Sequence, residues 1–428
     1  MMTMLSIFSY SNLFLQVTLA LCLYLPLSLL RIPALFLHGL HTYVHPDDVA
    51  PAGGSGGIRA AIRRPGAAAV SDSELKPRKR SKDKVEFDEQ KAQIFRLKLN
   101  EPHLQTRLYF SEFQSAFSST IVALGSFFLQ NFISDPENPG DLKNGAIIPT
   151  LLGLAGIVRI LFLIVKFSLE RAASRRSEKQ MSVLLGILGS FFGVAIMFDI
   201  IPNRILDFDM KSFDGFARSL TAILMGFIAG ALYIPASRNA RSFWLGTDQI
   251  RCNLSIIQCE QTARMLLYAN FLCTTFASVI WIIPFSEVVK KNLGMSSSDF
   301  EKLRIWSLLG SGLLQFLTVR PNLQMYLNEG VLSWYQRLHG GKVPELDYSR
   351  AKVFLHNHFL SLVALQFFTP AALTLLFTGL SLSVWRVIPL WVLVREVGLI
   401  MGWWINLVWV MSTSANIVLY RLGLLYVS

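Results

Sequence analysis

Long apolar runs separated by short polar segments dominate the chain, and nine of them predict membrane-spanning helices: 5–30, 109–132, 146–167, 181–201, 220–234, 265–285, 305–319, 354–376 and 399–424. A bilayer core takes ~20 mostly apolar residues per helix. The runs 220–234 and 305–319 are short for that and must extend into their flanks, tilt or re-enter. One segment departs from the helical pattern: "IFRLKLN", Ile94 to Asn100, alternates apolar and polar positions like a short strand ahead of the second span. After span seven, Leu323, Tyr326, Leu327, Val331, Leu332 and Tyr335 recur at helical spacing. Pro321 sits where a helix restarts, which predicts an amphipathic helix near 322–338 lying against the membrane or the bundle.

The predicted fold is an all-α polytopic membrane protein of about nine spans with a basic cytosolic loop. Three parts follow: 1–46, the first span and an interfacial extension; 47–93, a disordered basic linker; and 94–428, the helical bundle. "PDDVAPAGGSGGIRAAIRRPGAAAVSDSE" is too rich in Gly, Ala, Pro and Ser to bury a core. Composition agrees: 428 residues, 52% hydrophobic and 16% charged, leave no room for a soluble enzyme domain.

Charge sets the expected orientation. Loops after odd-numbered spans carry Arg59, Arg63, Arg64 and the run Lys76 to Lys84, then Lys166 to Lys179, Arg238, Arg241 and Arg251, and finally Arg320 to Lys352. Intervening loops such as "SDPENPGDLKNG" and "DFDMKSFDGF" are acidic or mixed. The positive-inside rule then places the N-terminus outside or in a lumen and the C-terminus in the cytosol, in plasma membrane or endomembrane. The net charge of +12 follows from orientation and calls for no nucleic-acid partner. Expected partners are the bilayer, anionic lipid at "KPRKRSKDK", and a further membrane protein. "NLS" at Asn253 has the glycosylation pattern but falls on the cytosolic side.

Candidate sites are polar residues within apolar runs, because an amide or charge in hydrocarbon is costly unless paired. They are Arg159, Gln315 and Gln366 inside spans, with Arg320, Gln324 and Asn328 at the edge of span seven. Asn406 and Asn416 add amides to the last span. Gly186, Gly189 and Gly193 in span four, and Gly226 and Gly230 in span five, have the spacing of close helix packing. His38, His41 and His45 would share one face if the first helix ran on to Pro46. Interfacial histidines without metal are common, so no metal is expected there. His356 and His358, two apart, are no ligand pair. The four cysteines lack disulfide or zinc spacing. No phosphate loop, "HExxH", "GxSxG" or dinucleotide fingerprint is present, so neither an enzyme nor a cofactor is expected.

The stretch "RxxLQxYLN", Arg320 to Asn328, resembles the transmembrane protein 161 family. Further islands agree in order: "YVHP" at 43–46, "YFSEFQ" at 109–114, "FIAGALYIPASR" at 227–238, "NFL" at 270–272, "LRIW" at 303–306, "ALQFFTP" at 364–370 and "WW" at 403–404. The linker and the short segment between spans eight and nine depart from animal members, as in a divergent, plant-type member. The resemblance implies a multi-pass membrane protein, with animal members linked to membrane excitability and stress responses, and brings no catalytic residues. Three functions follow in order: regulator or subunit of an ion-handling assembly, membrane scaffold, and, last, an intramembrane enzyme using His356 or His358.

Overall fold

Thirteen helices and three short strands emerge in a computed structural model that describes residues 2–45, 59–62, 94–133, 147–170, 176–200, 205–208, 213–248, 259–339, 346–382 and 390–426. The helices are α1 (Met2–Leu29), α2 (Ile32–Leu37), α3 (Glu101–Gln105), α4 (Phe110–Ile133), α5 (Ile147–Leu169), α6 (Arg176–Met197), α7 (Gly215–Thr247), α8 (Gln261–Val279), α9 (Ile283–Leu293), α10 (Ser297–His339), α11 (Leu346–His358), α12 (Leu360–Leu382) and α13 (Leu390–Arg421). Five of them, α5, α6, α7, α12 and α13, are long and apolar enough to cross a membrane, measured over the described residues.

Two short apolar runs lengthen into helices much longer than a bilayer requires. The run 220–234 is the middle of α7, 33 residues, and 305–319 lies within α10, 43 residues. At 1.5 Å per residue these reach about 50 and 65 Å, against ~30 Å of hydrocarbon. The polar stretches beyond Ser237 in α7 and beyond Arg320 in α10 are thus helical continuations of these apolar runs.

The separate amphipathic helix near 322–338 is corrected by this continuity. Pro321 lies inside α10 rather than at a restart. Both sides of the continuation are buried: Asn322, Leu323, Leu327, Asn328, Val331 and Trp334 are all inside the protein. Burial among neighbouring helices is the setting in which a helix tolerates an internal proline.

A break replaces the single span 265–285. α8 ends at Val279, and Pro284, in the first turn of α9, starts a new helix that closes on Gly294 with φ 60°. Ile283 N–H donates to the Ile205 carbonyl at 2.9 Å, which fixes the corner. Span eight likewise begins at Leu360, after α11 has ended at His358.

The predicted strand is β3 (Ile94–Lys98), at the centre of an antiparallel sheet ordered β1-β3-β2. Its partners are β1 (His41–Val44), with His41 opposite Lys98, and β2 (Arg59–Ile62). β2 falls within the linker expected to lack structure; residues 46–58 and 63–93 lie outside those described. His38, His41 and His45 share no helical face, since the chain leaves α2 at His38 and is extended by His41.

α12 forms the middle of the bundle, with residues Leu360 to Ser381 all buried. α6 sits at the edge against α7, leaving Val183, Ile187, Phe191 and Phe192 exposed. The two glycine sets face each other across this contact. A Cβ on Gly186 would lie 3.4 Å from the Gly226 carbonyl, and one on Gly193 would lie 3.0 Å from that of Ala222. Ser182 Oγ donates across the seam to the Gly230 carbonyl at 2.6 Å.

Candidate functional site

Arg320, Gln324 and Asn328 recur every four residues, so they share one face of α10. That face holds the chain that follows α1 and α2. Arg320 Nη2 donates to the His38 carbonyl at 2.9 Å. Gln324 takes both backbone groups of His41, accepting from its N–H at 2.9 Å and donating to its carbonyl at 3.1 Å. It also donates to Asn328 Oδ1 at 2.9 Å, which accepts from the Tyr43 hydroxyl at 3.2 Å. From α11, Asn357 Nδ2 donates to the Tyr43 carbonyl at 2.6 Å. Beneath these bonds Tyr43 and Ile94 pack on Val331, Trp334, Leu338 and Val353. The motif is thus a clamp on the edge strand β1, built by side-chain amides that imitate a neighbouring strand.

Gln324→Leu removes the partner of a half-buried N–H and carbonyl, each such loss costing about 1–3 kcal/mol. Hydrogen exchange at His41 is expected to accelerate at least tenfold; unchanged protection would remove the clamp from the account.

One turn away lies a layer of charge. Arg241 on α7 reaches Glu178 on α6 at 3.1 Å, Glu329 on α10 at 3.3 Å and the Tyr420 hydroxyl on α13 at 3.1 Å. Arg238, one turn earlier and buried, donates to Gln366 Oε1 of α12. Asn322 Nδ2 donates to Asn239 Oδ1 at 2.9 Å, joining α10 to α7 again. Burial is the strongest single influence on Glu329 and raises its pKa, but Arg241, together with the nearby His356 and Lys352, leaves the carboxyl below its ordinary value. His356, stacked on Tyr326 at 4.5 Å, is pushed below the usual imidazole value chiefly by burial. Two guanidinium groups and two carboxylates balance within this layer, which ties five helices together at the polar ends of α7 and α10.

The remaining predicted residues lie apart from it. Gln315 Nε2 donates to Asn406 Oδ1 at 2.7 Å, and Asn406 Nδ2 to Ser311 Oγ at 2.8 Å, forming a buried amide bridge between α10 and α13. Arg159 lies within α5, is exposed, and donates to Ser115 Oγ of α4. His358 stacks on Phe354, away from His356. Among the described residues no cluster of His, Cys, Asp or Glu could hold a metal ion.

Arg238, Arg241, Glu178 and Glu329 were legible only as loop charges or not at all. Their one sequence signal is "SRNARSFWL", where polar residues interrupt an apolar pattern that then resumes. Nothing in the sequence pairs Arg241 with Glu178, 63 residues earlier.

Apolar helices long enough to cross a bilayer, with polar side chains turned inward, define a helical integral membrane protein. The model of the family described as predicted transmembrane protein 161AB matches residues 216–387, from α7 through α12. Over these residues the chain is similar to the transmembrane protein 161 family. The match covers the islands at 227–238, 270–272, 303–306, 320–328 and 364–370, and so includes the strand clamp and most of the charge layer. No solved structure matches the chain.

Proposed function

We propose that the chain is a regulator or subunit of an ion-handling membrane assembly. The observation supporting this is the layer of Arg238, Arg241, Glu178 and Glu329, with His356 beside it, at the ends of membrane helices. Buried ionisable groups in membrane proteins are expensive and concentrate where ions or protons are handled. In this reading the chain has nine spans, the five apolar helices together with α1, α4, α8 and α10. The N-terminus lies outside or in a lumen and the C-terminus in the cytosol, with the charge layer at the cytosolic face; the basic run 76–84, outside the described residues, meets anionic lipid there.

The test compares wild type, Arg238→Gln and Arg241→Gln by flux in liposomes and by whole-cell current in cells lacking the endogenous protein. Currents that differ between wild type and well-folded Arg238→Gln are expected. No flux, together with currents unaffected by the protein, would overturn the reading.

The charge balance of the layer favours a second reading, a membrane scaffold in which these pairs only fix helix positions. Cross-linking in intact membranes would then recover a stoichiometric partner while both arginine variants left currents unchanged.

A further inference from the structure

A polar cavity of about 670 Å³ opens where the first span ends and α4 begins, lined by residues that include Arg31, Glu101, Thr106, Arg107, Glu112 and His358. Its two carboxylates are already engaged. Glu101 pairs with Arg31, and Glu112 accepts from Lys166 Nζ at 3.3 Å. Arg107 differs. It is half-buried, its Nε is shut away from water with no hydrogen-bond partner, and no carboxylate pairs with its guanidinium among the described residues. Burial pushes the pKa of that guanidinium down, an effect an anion in the cavity would reverse.

The backbone around the cavity is held in a costly form. Arg31 has φ 48° and Tyr109 φ 65°, two of the three left-handed residues other than glycine among those described, and both line this one space. Strain of this kind persists where the surroundings enforce it, and it gathers at binding sites. The rim is apolar. Leu29 and Leu30, directly before Arg31, are 77% and 62% exposed, and Leu108, directly after Arg107, also faces out.

We propose that this cavity binds the phosphate of an anionic phospholipid headgroup, with Arg107 as its principal contact. A guanidinium offers paired donors to phosphate oxygens and suits this ligand better than a point charge would. The exposed leucines give the acyl chains a path along α1, which a soluble phosphate would not use. The site is distinct from the basic run 76–84 and stands whether or not the chain handles ions.

Binding of dioctanoyl phosphatidic acid to the purified full-length protein in neutral detergent, followed by native mass spectrometry, tests this. Arg107→Gln is expected to weaken binding at least tenfold, and Arg159→Gln, an exposed arginine elsewhere on the bundle, to leave it unchanged. Thr106→Phe, which fills the cavity and keeps the guanidinium, is expected to abolish binding and guards against misfolding of the arginine variant. Wild-type protein that fails to bind the lipid, or Arg107→Gln and Thr106→Phe proteins that bind it like wild type, would overturn the site. Displacement of the lipid by equimolar inorganic phosphate would overturn the lipid as its ligand.

Discussion

Arg241→Ala is expected to destabilise the protein by about 3 kcal/mol, because it leaves two carboxylates where one guanidinium had served both. Glu329 bears most of this, with its side chain only 7% exposed against 15% for Glu178. Water reaches Arg241 in part, at 21% of its side chain, which keeps the expected loss at the lower end of the range for broken buried pairs. A lower melting temperature in detergent is the direct readout. Adding Glu329→Gln to Arg241→Ala removes the stranded charge and should return a third or more of the loss. Arg241→Ala protein melting like wild type would show that the layer contributes nothing to holding α6, α7, α10 and α13 together.

The glycine seam carries the other large effect. At Gly226 a Cβ would lie 1.8 Å from Ser190 Oγ and 2.8 Å from the Gly186 carbonyl oxygen. The first contact can move aside and the second cannot, since it is backbone. Gly226→Val therefore forces α6 away from α7, at about 3 kcal/mol for overpacking of this degree. α6 has little else to hold it, because only 22% of its apolar window is buried inside the protein. Ser190→Gly in the same chain should relieve part of the loss, leaving the share due to the backbone contact. Gly310, on α10 with nothing within 4 Å of a Cβ, provides the contrast: Gly310→Ala should stabilise by roughly 0.5–1 kcal/mol through helix propensity. Equal melting shifts from Gly226→Val and Gly310→Ala would contradict the seam.

The amino-acid sequence by itself determined that this is a helical membrane protein, where most of its helices fall, that Ile94 to Lys98 is a strand, and that glycines in spans four and five sit at packing intervals. Those properties are local: apolar length, alternation and spacing are visible within a few turns of chain. Helix ends were less legible. Ser237, Arg238 and Asn239 end an apolar run without ending a helix, since Arg238 and Asn239 are satisfied by α12 and α10 and Ser237 by its own helix. Arg241 therefore passed for a loop charge, and Pro321 for a helix start.

Only the tertiary structure decided which faces are inside. α6 and α12 are equally apolar, yet α12's apolar window is 100% buried in protein and α6's only 22%. In a bilayer, lipid and protein neighbours demand the same apolar side chains, so hydropathy cannot separate them. The same holds for Arg159 and Arg238, one exposed and one buried, both arginines in apolar helices. The clamp of Gln324 on His41 joins residues 283 apart, and the charge layer draws on helices from Glu178 to Tyr420. Such contacts exist only once the bundle has closed, because each polar group is affordable in that place only beside a partner supplied by another helix.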